Sequence, residues 1–219
     1  MVTYREVKND PDNCEFIRKA DESLLALGYT EHSFAHVGKV ADTVEYILSS
    51  LSYSEHEIEL GKIAAHMHDS GNLVNRIEHS QSGAIMALRI LDRMGMDAAD
   101  LSTIVTAIGN HDEGTGVPVN AIAAALILAD KSDVRRSRVR NHDVSTFDIH
   151  DRVNYSVTDS NLSILREQKE ILLSLTIETK YSSVMDYFEI FLERMVLCRK
   201  AAEKLGLTFR LWINGQQIL

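Results

Sequence analysis

The chain has 219 residues, 45% of them hydrophobic and 25% charged, with two prolines and a formal net charge of −9. This admits one large helix-rich domain, or a domain with an appendage. It argues against a general nucleic-acid backbone binder, which needs a basic surface, but small anionic substrates stay open because a bound metal supplies local positive charge.

Residues 12–27 have helical spacing, with Phe16, Ile17, Ala20, Leu24 and Leu25 on one side and Gly28 as the stop. A second helix is expected over 31–52, its apolar stripe running from Phe34 to Leu51 with His36 beside it. Ser54-Glu55-His56-Glu57 has the form of a capping box and starts a third helix that ends at His68-Asp69. Residues 70–78 read as a loop. His79 opens a fourth helix, ended by Gly95, and Asp97 caps a fifth. His111 lies seven residues past Ile104 and extends that helix's core face. A glycine-rich loop over 112–117 precedes a sixth helix, with Pro118 near its start and Asp130 continuing the face of Ala123 and Leu126.

The pattern then changes. Val153, Tyr155 and Val157 alternate with polar residues, as do Ile171, Leu173, Leu175 and Ile177, which predicts an antiparallel pair. Residues 183–205 return to helix with Gly206 as the stop. Leu207 to Ile213 alternate again, and Asn214-Gly215 offers a type I′ hairpin turn. The expected architecture is mainly α: an all-α domain over residues 1–140, then a small α+β unit with antiparallel strands over 141–219, packing on or capping the helices. The stretch 133–150, rich in Arg, Asp and His, reads as the linker. No apolar run approaches the roughly 20 residues that span a bilayer. The start Met-Val-Thr-Tyr-Arg-Glu lacks the form of a secretory signal. Cys14 and Cys198 read as free thiols, and the expected location is cytoplasmic.

The stretch 61–71 ends in adjacent His68 and Asp69, followed by Gly71. Taken alone it is either a helix end closed by glycine and favoured by the helix dipole, or an imidazole–carboxylate pair offered to a metal. The other residues decide. His36, His68-Asp69, His79, His111 and Asp130 each stand at a helix end or on a core-facing stripe of a different helix. This ordered H…HD…H…H…D series resembles the HD-domain superfamily of metal-dependent phosphohydrolases over residues 31–136. His79-Ser-Gln-Ser-Gly83-Ala84 is similar to the His-x-x-x-Gly-Ala element of its di-metal members. His111-Asp-Glu-Gly-Thr-Gly-Val-Pro118 is similar to the HD-GYP loop, with Val117 in place of tyrosine and Asn72 in place of the lysine that follows Gly71.

The resemblance implies one metal held by His36, His68, Asp69 and Asp130, and a second held by Asp69, as bridge, with His79 and His111. It implies two divalent transition ions, iron first among Fe, Mn, Ni, Co and Zn. The implied reaction is hydrolysis of a phosphate ester or anhydride, of a nucleotide or another small phosphorylated metabolite, by metal-activated hydroxide. His68 and Asp69 carry the catalytic role in that reading. Lys131 and Arg135 are candidate phosphate contacts, His32 a candidate for the cleft mouth, and Asn72 a neighbour of the leaving group. No membrane partner or general nucleic-acid binding is expected, and a second copy could pair with an exposed strand edge. Two other classes fit the same ligands: an HD-fold di-iron oxygenase, and a non-catalytic binding module in which the tail is the working part.

Overall fold

Capping side chains set most of the helix starts. In the computed structural model, which describes residues 2–219, the helical part comprises α1 (Tyr4–Lys8), α2 (Pro11–Ala26), α3 (Phe34–Ser50), α4 (Glu55–Met67), α5 (His79–Arg93), α6 (Ala98–Gly109) and α7 (Ala121–Ser132). Ser33, Ser54, Asp97 and Asn120 each accept a first-turn backbone N–H, and Ser54 with Glu57 closes the expected capping box. The cap at Ser33 corrects the second helix, which begins at Phe34 and leaves His32 ahead of it. The cap at Asn120 likewise leaves Pro118 outside α7.

The tail continues with α8 (Ile149–Ser156), β1 (Val157–Leu165), β2 (Glu170–Ile177), α9 (Val184–Lys204), β3 (Thr208–Ile213) and β4 (Gln216–Gln217). Val153 and Tyr155 belong to α8, not to a strand; Asp148 caps that helix by accepting from Asp151 N–H. Three alternating residues were too short a pattern to separate the two states. The strand that pairs with β2 lies later, with Val157 opposite Ile177 and Leu162 opposite Leu173. It is obscured in sequence by Asp159, Ser160, Asn161 and Ser163.

The sheet order is β1-β2-β3-β4 and the sheet is mixed. The expected antiparallel strands are present as the β1–β2 and β3–β4 pairs, while β2 and β3 run parallel, with Leu173 opposite Leu211. The reason is the crossover: α9 carries the chain back along the sheet between them. The β3–β4 hairpin turns at Asn214 and Gly215, both at positive φ (52° and 78°), as a type I′ turn requires.

α7 is buried all round, from Ile122 to Ala129, which marks a central helix. It packs against α3, α4 and α6, and against α9 of the tail. Ile171, Leu173, Leu175, Phe209, Leu211 and Ile213 on one sheet face belong to the same core. Cys198 is buried and Cys14 half-buried, and both are free. Among the described residues no helix is long and apolar enough to cross a membrane.

The feature that places the site lies just after α4. His68 caps that helix, and a 3₁₀ turn, Ser70–Leu73, lies against the first turn of α5. Gly71 is not a left-handed stop. It permits contact, since a Cβ there would come 1.9 Å from the His79 carbonyl oxygen and 2.4 Å from the Gly83 nitrogen. Gly38 in α3 has open space around the same added atom. Gly71→Ala is therefore expected to cost about 3 kcal/mol or more in urea unfolding. Gly38→Ala should add roughly 0.5–1 kcal/mol by relieving a helical glycine. Equal effects at the two positions would remove the packing argument.

Candidate metal centre

The ends of three helices and the starts of two others converge on one point. His36 comes from the first turn of α3, His68 and Asp69 from the end of α4, His79 from the first residue of α5, His111 from just beyond α6, and Asp130 from the last turn of α7. All four histidines and Asp69 are buried; Asp130 is half-buried.

Each histidine has its Nδ1 tied to an oxygen. His36 donates to Asp133 Oδ2 at 2.7 Å, His68 to the Ala65 carbonyl at 2.7 Å, His79 to the Arg76 carbonyl at 3.1 Å and His111 to the Ile108 carbonyl at 2.6 Å. A ring that donates from Nδ1 presents a lone pair on Nε2, the tautomer suited to metal binding. The four Nε2 atoms all turn inward.

Asp69 faces both halves of the cluster. Its Oδ2 lies 3.5 Å from His36 Nε2 and 3.3 Å from His68 Nε2, while Asp130 Oδ1 lies 3.4 and 3.7 Å from the same two nitrogens. Its other oxygen, Oδ1, lies 3.5 Å from His79 Nε2, which is 3.2 Å from His111 Nε2. Ligands that share one small cation at about 2.1 Å sit about 3.0–3.5 Å apart, so the spacing is that of donors around an ion. His36 Nε2, His68 Nε2 and Asp69 Oδ2 are buried without a hydrogen-bond partner among the described residues. Two groups of donors meet the dimensions of a metal site, His36–His68–Asp130 and His68–Asp69–His111.

The electrostatics point the same way. Burial holds His79 and His111 below the ordinary histidine value, so both are neutral. Two neutral rings with their protons on the far side face each other lone pair to lone pair, an arrangement that a cation between them relieves. Burial also works against charge on His68, yet Asp69 and Asp130 overcome it and push that imidazole up to about 10. A field that binds a proton so firmly also favours a divalent cation in its place. Burial opposes ionisation of the two carboxyls as well, but His68 beside Asp69 and Lys131 beside Asp130 hold both well below their ordinary value.

The remaining candidates fall in different places. Asn72 donates from Nδ2 to Asp69 Oδ1 at 3.0 Å and to the Asp69 carbonyl at 2.9 Å, so it orients that carboxylate. Lys131 is buried, with Nζ 2.8 Å from Asp130 Oδ2 and 2.6 Å from Glu113 Oε2. His32 lines the cavity and its Nδ1 meets the Thr30 carbonyl. Arg135 does not line it: its guanidinium is engaged by Asp133, Glu31 and Ser137. Asp112 Oδ1 stands 3.9 Å from His79 Nε2.

A cavity of about 380 Å³ runs from Asp69, His79 and Asp130 to the tail, where Asp148, His150 and Asn154 of the α8 region and Ile190, Phe191 and Arg194 of α9 close it. The tail thus contributes part of the cavity wall. Sequence reasoning missed Asp133, Glu113 and Arg194. Asp133 had a usable signal: it lies three residues after Asp130, close to the same helical face. Glu113 and Arg194 are 81 positions apart and had none.

No protein-family model matches the chain, and no curated protein matches it significantly. Among solved structures it is similar to a predicted HD superfamily hydrolase from an uncultured Thermotogales bacterium. That match has 21% identity, covers 57% of this chain and 67% of the other, and has a TM-score of 0.45.

One more buried histidine stays outside the cluster. His66 is 1% exposed, sits edge-on to the Tyr4 ring, and neither ring nitrogen has a hydrogen-bond partner among the described residues. Burial lowers it to about 4. The unfolded chain binds this proton more readily than the folded one. The contribution is therefore complete above about pH 6.5 and lost as pH falls toward 4. Between pH 7 and pH 5 this group alone should cost about 2 kcal/mol. Urea titrations of the wild type and His66→Leu at both pH values check it: the variant's loss should be smaller by that amount.

Proposed function

We propose that this protein is a divalent-metal-dependent hydrolase of the HD type that cleaves a phosphate ester or anhydride of a small substrate. The observation that carries the reading is the set of four imidazoles, each tied through Nδ1 to an oxygen and turned through Nε2 toward Asp69 and Asp130.

In this reading His36, His68, Asp69 and Asp130 hold one ion. Asp69, His79 and His111 would hold a second. Mixed imidazole and carboxylate donors suit iron, manganese, nickel, cobalt or zinc. Divalent cations bound there supply polarisation of a phosphoryl group and activation of water near neutral pH.

The chain's own groups do the rest. Asp133 fixes the His36 ring, and Asn72 fixes Asp69. Lys131, beside Asp130, supplies positive charge for phosphoryl oxygens. Tyr29, Ile190 and Phe191 give the cavity aromatic and apolar wall, which suits the base or sugar of a nucleotide. The cap formed by α8 and α9 limits access by bulk water.

Elemental analysis of protein purified without added metal tests the reading. Near two ions per chain are expected, with a sharp fall in Asp69→Ala. Turnover of a panel of phosphate esters and anhydrides should disappear in Asp69→Ala and His68→Ala. Asp133→Asn should weaken metal affinity by about 10-fold or more against a competing chelator. A protein that holds no metal and takes up none of the five candidates would end the proposal.

A further inference from the structure

Three carboxylates in the cavity, Glu113, Asp148 and Asp151, serve neither group of metal donors, and Glu113 is ion-paired with two cations of the same cavity. Glu113 stands in the loop between α6 and α7. Its Oε2 lies 2.6 Å from Lys131 Nζ, and its Oε1 accepts from Arg194 Nε at 2.9 Å. Lys131 also meets Asp130 Oδ2 at 2.8 Å. A line of alternating charge therefore runs from the metal centre through Lys131 and Glu113 to Arg194 on α9, and all of these groups line the cavity.

Two cations thus aim at one point, and the chain itself fills that point with a carboxylate. Each cation has a second support. Arg194 stacks over the Phe191 ring, with its guanidinium carbon 4.4 Å from the ring centroid, and Lys131 keeps Asp130. Both would stay in place if Glu113 left. The loop that carries Glu113 is firm at one side and open at the other. A Cβ on Gly116 would come 2.4 Å from the Asp112 carbonyl oxygen, whereas at Gly114 the nearest atom is 3.7 Å away. A phosphate offers a lysine and an arginine that face one point more acceptor oxygens than a carboxylate does, and charge-assisted contacts of both side chains to phosphate are among the strong hydrogen bonds.

We infer that Lys131 and Arg194 form a phosphate-binding subsite, and that Glu113 occupies it until phosphate oxygens of the substrate displace its carboxylate. The inference rests on the phosphohydrolase reading for its ligand. It makes Arg194, and with it the C-terminal unit, part of the substrate site. Glu113 becomes a specificity element, because an anion too weakly charged to replace it is rejected.

The test is calorimetric titration of inorganic phosphate into the as-purified, metal-containing protein at fixed ionic strength. Glu113→Gln should tighten binding about tenfold and Arg194→Ala should weaken it about tenfold. The double variant should lose the gain of the first. Arg194→Gln, which removes the charge but keeps a long polar side chain, should weaken binding in the same direction and stands in if the alanine variant does not fold. A merely structural bridge predicts the opposite for Glu113→Gln: a lower melting temperature with phosphate affinity unchanged or weaker. That result overturns the subsite. Two bound metals with phosphate affinity indifferent to Glu113 and Arg194 would sink the subsite and leave the hydrolase reading intact. The Glu113→Gln gain in a metal-free protein would keep the subsite and remove the hydrolase.

Discussion

Asp69 has two carboxylate oxygens, and the arrangement of the helical part follows from how they are shared. One oxygen faces His36 and His68, the other faces His79. A carboxylate in that position is expensive to bury and cannot be satisfied by neutral rings alone. The surrounding structure meets the cost in part. Asn72 donates to it, four oxygens fix the imidazoles, and the apolar α7 holds Asp130 opposite. The tight contact of Gly71 with the first turn of α5 brings His79 within reach. What the protein leaves unbalanced is local negative charge with inward lone pairs, and that remainder defines a cation site.

Much of this was legible because ligand positions sit on packing positions. His36, Asp130 and the His68-Asp69 pair interrupt apolar stripes whose spacing fixes which way they face, so order and periodicity sufficed. Capping residues located the starts of α4 and α6 for the same local reason. Asp133 was passed over despite its spacing from Asp130, because it stands at the cap of α7 in a stretch whose charges read as solvated. The β1 strand was hidden because its side chains carry no alternation, and its existence depends on the partner strand. The parallel β2–β3 pairing depends on where α9 returns the chain, which no local pattern states. Glu113 and Arg194 meet only through tertiary packing.

The basic run after Asp130 shows how a sequence signal can be real and still serve another end. Arg135 binds Asp133 and Glu31. Arg136 lies against the Tyr155 and Tyr181 rings and donates to the Tyr155 carbonyl and Glu178. Arg138, buried, donates to the carbonyls of Glu31 and Asp133. These three arginines stitch the segment before α3, the end of α7 and the tail together. The stretch 133–150, which reads in sequence as a linker, supplies the ties by which the tail is held over the cleft.

The parallel pairing of β2 with β3 has a consequence for how this chain tolerates change. α9 is anchored at both ends, by a strand before it and a strand after it in the same sheet, so it cannot slide or turn to absorb an inserted residue. Each residue added within the helix between Val184 and Arg194 would rotate the later part of it by about 100° and advance it by about 1.5 Å. Arg194 would then swing out of the cavity while the metal ligands, all earlier in the chain, stayed where they are. The length of this one crossover therefore sets the rotational register between cap and metal centre.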